Sequence, residues 1–264
     1  MSQLQAAWDA CPLWGVFVAT VVLVLLSIEA GLRLGRRRNL QAGDAKDAPI
    51  GGVVGALLGL LAFLLAFTFG AAASRFDARR HLLLDEVNAI GTTYLRAGLI
   101  AEPERTELRQ LLREYVAIRA DLAEHPQRLA ETITRSEALH GQFWDKVTVV
   151  AQADPHSVVA GRLMESMNEV IDLHTERVAV GLQYRIPPVI WTALYFTAAL
   201  SMVAVGYQFG LSGTRNVPMC LLLALTFSAV ILLISDLDRA TEGTLRVSLQ
   251  PMLDLHKSLS GDAP

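Results

Sequence analysis

Four long apolar blocks constrain this chain more than any other feature. Residues 13–32 contain one carboxylate, Glu29, near their end, while residues 50–74, 188–211 and 217–235 contain no charge. Each is close to or beyond the ~20 helical residues that cross a hydrocarbon core of ~30 Å. Buried helices of water-soluble proteins rarely run so far without a charge. Composition agrees: 52% of the residues are hydrophobic and 19% charged, where soluble chains carry about 25% charged residues. The 26 acids and 23 bases leave a net charge of −3, so no bulk attraction to nucleic acid is expected. Two cysteines exclude a disulfide scaffold. The fold class expected is an all-α integral membrane protein with four transmembrane helices and a helical extramembrane domain inserted between spans 2 and 3.

The division follows from the blocks. Residues 1–74 form a transmembrane hairpin with spans at about 13–35 and 50–74. Residues 75–187 form the helical extramembrane domain, residues 188–236 a second hairpin with spans 188–211 and 217–235, and residues 237–264 an extramembrane tail. Nothing basic precedes the first span, and Arg33, Arg36, Arg37 and Arg38 follow it. That order suits an uncleaved anchor whose N-terminus stays outside. The short loops, near 36–49 and 210–216, also hold Lys46 and Arg215. The positive-inside rule acts through short loops, which places these in the cytoplasm and the helical domain outside. Cys11 and Cys220 begin spans 1 and 4 on opposite faces, so they are expected to stay unpaired.

The long segment has helical periodicity. Phe76, Leu83, Val87, Ile90 and Tyr94 recur at three- and four-residue steps, extending span 2 out of the bilayer as one helix that breaks near Pro103. Leu108, Leu111, Leu112, Tyr115, Ile118 and Leu122 mark a second helix ending near His125–Pro126. Leu129, Ile133, Phe143, Trp144, Val147 and Val150 mark a third. A fourth opens after Asp154–Pro155, with Asp154 as a candidate cap, and carries Val158, Leu163, Met167, Val170, Ile171 and Leu173 up to Pro187–Pro188. Only Leu245, Val247 and Leu249 alternate as a strand would.

Reactive chemistry is sparse. Glu137-x-x-His140 is half of a di-iron signature with no second half. Asp172 and His174 cannot share a helical face. There is no nucleophile elbow and no phosphate-binding glycine loop, so no enzyme activity, metal or cofactor is expected. The spans say more. Gly51, Gly55 and Gly59, continued by Ala62, Ala66 and Gly70, place small residues along one side of span 2. Such a stripe lets another backbone approach, within the chain or across a subunit seam. Beside it lie Phe63, Phe67, Ser74 and His81. Two phenylalanines a turn apart can form a hydrophobic constriction or simply meet lipid. Thr197, Ser201 and Ala204 form a small or polar row on span 3, the pattern of a helix contact.

Charges crowd the border on the long-domain side: Arg75, Asp77, Arg79 and Arg80 after span 2, and Asp236, Asp238 and Arg239 after span 4. Ion pairs such as Arg75 or Arg79 with Asp236 would fix helix register, and spare arginines would concentrate anions at a pore mouth. Glu29 and Arg33 are spaced for a pair along one helix.

Several long stretches resemble a known bacterial membrane-protein family, the bestrophin-like family, a domain of unknown function. They are LLGLLAFLLAFTFGAAASRFDARR (57–80), EVNAIGTTYLRAGL (86–99), NEVIDLHTERV (168–178), RIPPVIW (185–191), GYQFGLSG (206–213) and SDLDRATEGTLRVSLQPMLDL (235–255). The resemblance implies a homo-oligomer in the bacterial inner (cytoplasmic) membrane, in contact with lipid and passing small anions through a pore lined by span 2. It places Phe63 and Phe67 where bestrophins carry a neck of stacked apolar side chains. It also implies a helical part inside the cell, opposite to the charge argument above. The alternative function is a non-conducting membrane scaffold or sensor whose helical domain binds a partner or envelope ligand. The absence of a mid-span charge disfavours a pump or carrier.

Overall fold

The computed structural model describes residues 12–42, 50–213, 216–239 and 243–261. Cys11, Lys46 and Arg215 lie outside the described residues. The helices are α1 (Leu13–Ala42), α2 (Ile50–Ala97), α3 (Glu104–Asp121), α4 (Leu129–Ala153), α5 (Val158–Val178), α6 (Pro188–Leu211), α7 (Val217–Asp238) and α8 (Gln250–Gly261). Among the described residues there is no strand: Leu245, Val247 and Leu249 alternate in sequence but sit in irregular chain leading into α8. Four helices are long and apolar enough to cross a membrane, and their spanning parts are taken as the apolar stretches identified above. At ~1.5 Å per residue α2 is about 70 Å long, more than twice a bilayer core, so only its uncharged first half can span.

Contacts divide the chain into two compact units, one within Met1–Arg75 and Arg185–Leu245, the other within Phe76–Tyr184 and Arg246–Pro264. In the first unit, α1 lies against both α6 and α7. The α1–α6 crossing is close enough to bring backbones together. A Cβ added at Gly31 would fall on the Val203 carbonyl oxygen and lie 2.8 Å from Tyr207 N, and one at Gly206 would fall on the Ile28 carbonyl. Gly35 and Gly210, one turn further on, meet the same limit. Lipid supplies no hydrophobic force between helices, so intimate packing of small residues takes its place. Thr20 Oγ1 and Tyr195 OH add a 2.9 Å hydrogen bond across the crossing. Ser201 donates to Leu57 O on α2 at 3.3 Å and to Thr197 O at 2.8 Å, so the span-3 row is a helix contact. Asn216 caps α7 by accepting from Met219 N, with Pro218 in the first turn.

The second unit has a side-chain core. Leu83, Ile90 and Tyr94 of α2 pack with Leu108, Leu112, Tyr115 and Val116 of α3, Leu139, Phe143 and Val147 of α4, and Leu163, Met167 and Val170 of α5. Phe143 is fully buried and its neighbour Trp144 is 38% exposed, so the buried apolar face of α4 includes Phe143 and not Trp144. Residues 250–261, read from sequence only as part of a tail, form α8. It packs against α3 and contributes Met252 and Leu259 to this core. The cap of α5 is Ser157, whose Oγ accepts from Ala160 N at 3.3 Å, while Asp154 accepts from His156 N one turn earlier. A π-helical turn, Ala179–Gln183, ends α5 before the prolines that open α6.

Candidate functional site

The spanning half of α2 has two different faces. Val54, Leu61, Thr68 and Ala72 are buried, at steps of seven and four that follow one side of a helix. Phe63 and Phe67, about half a turn round from Leu61, are 66% and 61% exposed, and Ser74 is exposed on the same side. Nothing lies within 4 Å of a Cβ added at Gly55, Gly59 or Gly70. Gly51 alone has a neighbour, Gln208 Nε2 at 3.4 Å. Ala62 and Ala66 are exposed as well. The small-residue stripe and the two phenylalanines therefore form one continuous face that the described residues leave uncovered.

At the end of α7 the acidic residues have separate duties. Asp238 Oδ1 lies 3.7 Å from Arg75 Nη1 and accepts from Ile186 N at 3.0 Å, while Asp238 O accepts from Arg185 Nη1 at 2.6 Å. One residue thus joins the middle of α2 and the end of α7 to the entry of α6. Among the described residues Asp236 pairs with Thr244 and with neither Arg75 nor Arg79. Its carboxylate accepts from Thr244 N at 2.9 Å and from the Thr244 hydroxyl. The turn can fold back this far because Gly243 has φ +105° and a Cβ there would fall on Asp236 Oδ1. Arg239 is 3% exposed and Asp77 and Arg80 are exposed. Arg79, 9% exposed, stacks its guanidinium on Phe76 at 5.9 Å. Glu29 and Arg33 form their pair at 2.9 Å. Cys220 is free and buried.

The second unit contains a polar cluster that the sequence reading did not assemble. Glu86 on α2 is fully buried and accepts from Tyr115 OH at 2.8 Å, from Arg119 Nη2 at 2.8 Å and from Arg177 Nη1. Arg119 Nη1 lies 2.9 Å from His174 Nδ1. The His174 and His140 rings meet edge to face, with centroids 4.7 Å apart. Burial works against the Glu86 carboxylate, but Arg119 and Arg177 hold it below the usual carboxylate range. Burial and then Arg119 push His174 down to about 3 and His140 to about 4, so both are neutral near pH 7. Burial drives the Tyr115 hydroxyl well above its ordinary value. A signal was available: Glu86 falls among Leu83, Val87 and Ile90, Arg119 follows Tyr115 by one turn, and His174 follows Val170 by one turn. Ionisable residues on an apolar stripe must find partners inside. Glu137 and Asp172 are exposed, and among the described residues no group of three metal-type ligands assembles.

The model of the Bestrophin-like domain matches residues 12–252. Among solved structures, a bacterial bestrophin homologue from Klebsiella pneumoniae superposes with TM-score 0.64 at 17% identity, covering 94% of this chain and 98% of that one. A point variant of the Klebsiella pneumoniae homologue gives 0.65 at 15% identity, covering 93% and 97%. A variant of a protein described only as a membrane protein gives 0.66 at 15%, covering 94% and 97%. No curated protein sequence matches the chain. At these identities the structural likeness concerns the fold.

Proposed function

Because the chain belongs to the Bestrophin-like family, we propose that it assembles into a homo-oligomeric membrane channel for small anions, with α2 lining the pore. The observation that carries this reading is the uncovered face of α2. Copies arranged in a ring bring that face to the axis or to the seam between neighbours. Gly55, Gly59 and Gly70 let a neighbouring backbone come close. Phe63 and Phe67 then form a ring of apolar side chains that gates by dewetting, with the Ser74 hydroxyl beyond it. Arg75 is engaged by Asp238, which supports a role in holding the middle of α2 to the end of α7. Exposed Arg80 is the better placed of the border arginines to raise the local anion concentration.

The test is ion flux from proteoliposomes of the purified protein, chloride against potassium, with Phe67→Ala alongside. Chloride-selective flux that rises or changes selectivity in Phe67→Ala supports the pore. A stable oligomer that passes no ion, even with the constriction trimmed, replaces this reading with the scaffold or sensor.

For orientation, the basic short loops favour a cytoplasmic position for residues 36–49, with the helical unit outside the bacterial inner membrane. Single cysteines replacing Gly43 and, separately, exposed Glu137 test this in intact cells. Labelling of the Glu137→Cys protein alone is the expected result. Labelling of the Gly43→Cys protein alone would place the helical unit in the cytoplasm.

A further inference from the structure

The buried cluster of the second unit is unbalanced in two ways. Two guanidiniums, Arg119 and Arg177, face a single carboxylate, Glu86. Neutral His140 and His174 add no negative charge, so the centre carries one positive charge in excess. The second imbalance is in hydrogen bonding. Arginine only donates, so the 2.9 Å contact from Arg119 Nη1 makes His174 Nδ1 an acceptor. A neutral ring accepting at Nδ1 carries its proton on Nε2. His174 Nε2–H is therefore a donor, and it is buried with no hydrogen-bond partner among the described residues. His140 Nε2 and Ser136 Oγ are buried and unpartnered too. Ser136 lies one turn before His140 on the buried face of α4, and the two imidazoles are in ring contact.

We propose that His174, His140 and Ser136 line a binding site for a small monovalent anion of halide size, held in the positive field of Arg119 and Arg177. The chemistry selects against the obvious competitor. A metal cation would need the His174 Nε2 lone pair, which the tautomer denies it, and would sit beside a guanidinium. An anion needs donors, and the cluster offers an imidazole N–H and a hydroxyl that otherwise bear the cost of desolvation unmet. The groups facing the site are Glu86 from α2, Tyr115 and Arg119 from α3, His140 from α4, and His174 and Arg177 from α5. In the free protein none of these groups changes charge between mildly acidic and neutral pH, since both histidines titrate below it. An anion raises the proton affinity of His140, so its binding strengthens as pH falls.

The site shares no residue with the proposed pore, and its occupancy is read without ion flux, so it stands or falls independently of conduction. The full chain in detergent is unfolded thermally in sodium bromide and in sodium gluconate at equal ionic strength, at about pH 8 and about pH 5.5. Crystals grown in bromide are measured at the bromine absorption edge. The expected result is an anomalous peak within hydrogen-bonding reach of His174 Nε2. Bromide should also raise the unfolding midpoint by roughly 2–4 °C, more at the lower pH. Ser136→Ala, a small change that keeps the fold, should shrink the bromide effect, and His174→Phe should abolish it. Equal midpoints in the two salts, or a crystal with no anomalous peak beside the histidines, would overturn the site. The crystal of the unaltered protein decides the matter even if His174→Phe does not fold.

Discussion

The two units hold themselves together by opposite means. In the membrane unit, α1 and α6 meet backbone to backbone at Gly31, Gly35, Gly206 and Gly210, and the side chains that would fill a soluble core are replaced by hydrogen atoms. In the helical unit, Tyr94, Tyr115, Phe143 and Met167 fill a core that closes around a buried ionic cluster. The difference reflects the solvent each faces. Water drives large apolar side chains together, whereas lipid is as apolar as they are and rewards only close fit. A glycine is thus the most specific residue in one unit, and a carboxylate among leucines is the most specific in the other.

Substitutions sharpen the contrast. Gly206→Leu has the largest expected effect: four added carbons have no room against the Ile28 carbonyl. The variant should lose the α1–α6 contact and fail to elute as a single species from size-exclusion chromatography in detergent. A well-behaved Gly206→Leu protein would show that the crossing is looser than described. Glu86→Gln comes next, because it leaves buried Arg119 and half-buried Arg177 without their counter-ion. Breaking a buried pair on one side costs about 3–5 kcal/mol, to be read as a lowered unfolding midpoint of the helical unit. An unchanged midpoint would mean that the cluster is solvated.

Acid titration is gentler and tests the same cluster. The folded pKa values of His140 and His174 lie below the ordinary histidine value of 6.5. The unfolded chain therefore binds more protons than the native one as pH falls below about 6.5. Stability present at neutral pH should decline from there toward pH 4. Replacing both histidines with phenylalanine should flatten that slope above pH 5, while the Glu86 contribution, lost only as its carboxylate protonates, should remain. A slope identical in the double variant would assign the acid sensitivity elsewhere.

Much of the architecture was legible because membrane spans are local: an uncharged run long enough to cross a bilayer needs no partner to be recognised. The amphipathic helices were legible for a similar reason, since Leu108, Leu112 and Tyr115 repeat within one element. What escaped were features that exist only between elements. The stripe singled out for close packing was on α2, but within this chain the close crossing uses Gly31-x-x-x-Gly35 against Gly206-x-x-x-Gly210, a pairing no single helix reveals. The Glu86 cluster draws on four helices: an ionisable residue on each apolar stripe signals burial, but not which stripes meet. Helix α8 was passed over because twelve mixed residues beginning beside Pro251 have no signature until Met252 and Leu259 find the core.

The place of α8 has a consequence for how the molecule is made. Met252 and Leu259 belong to a core whose other members come from residues 83–170. During synthesis α6 and α7 emerge after those residues and before α8. The helical unit thus reaches its finished form only after the second hairpin has left the ribosome. Until then the surface of α3 that receives α8 stays open. Its apolar groups then wait in a half-assembled protein, the stage at which exposed surface invites wrong partners.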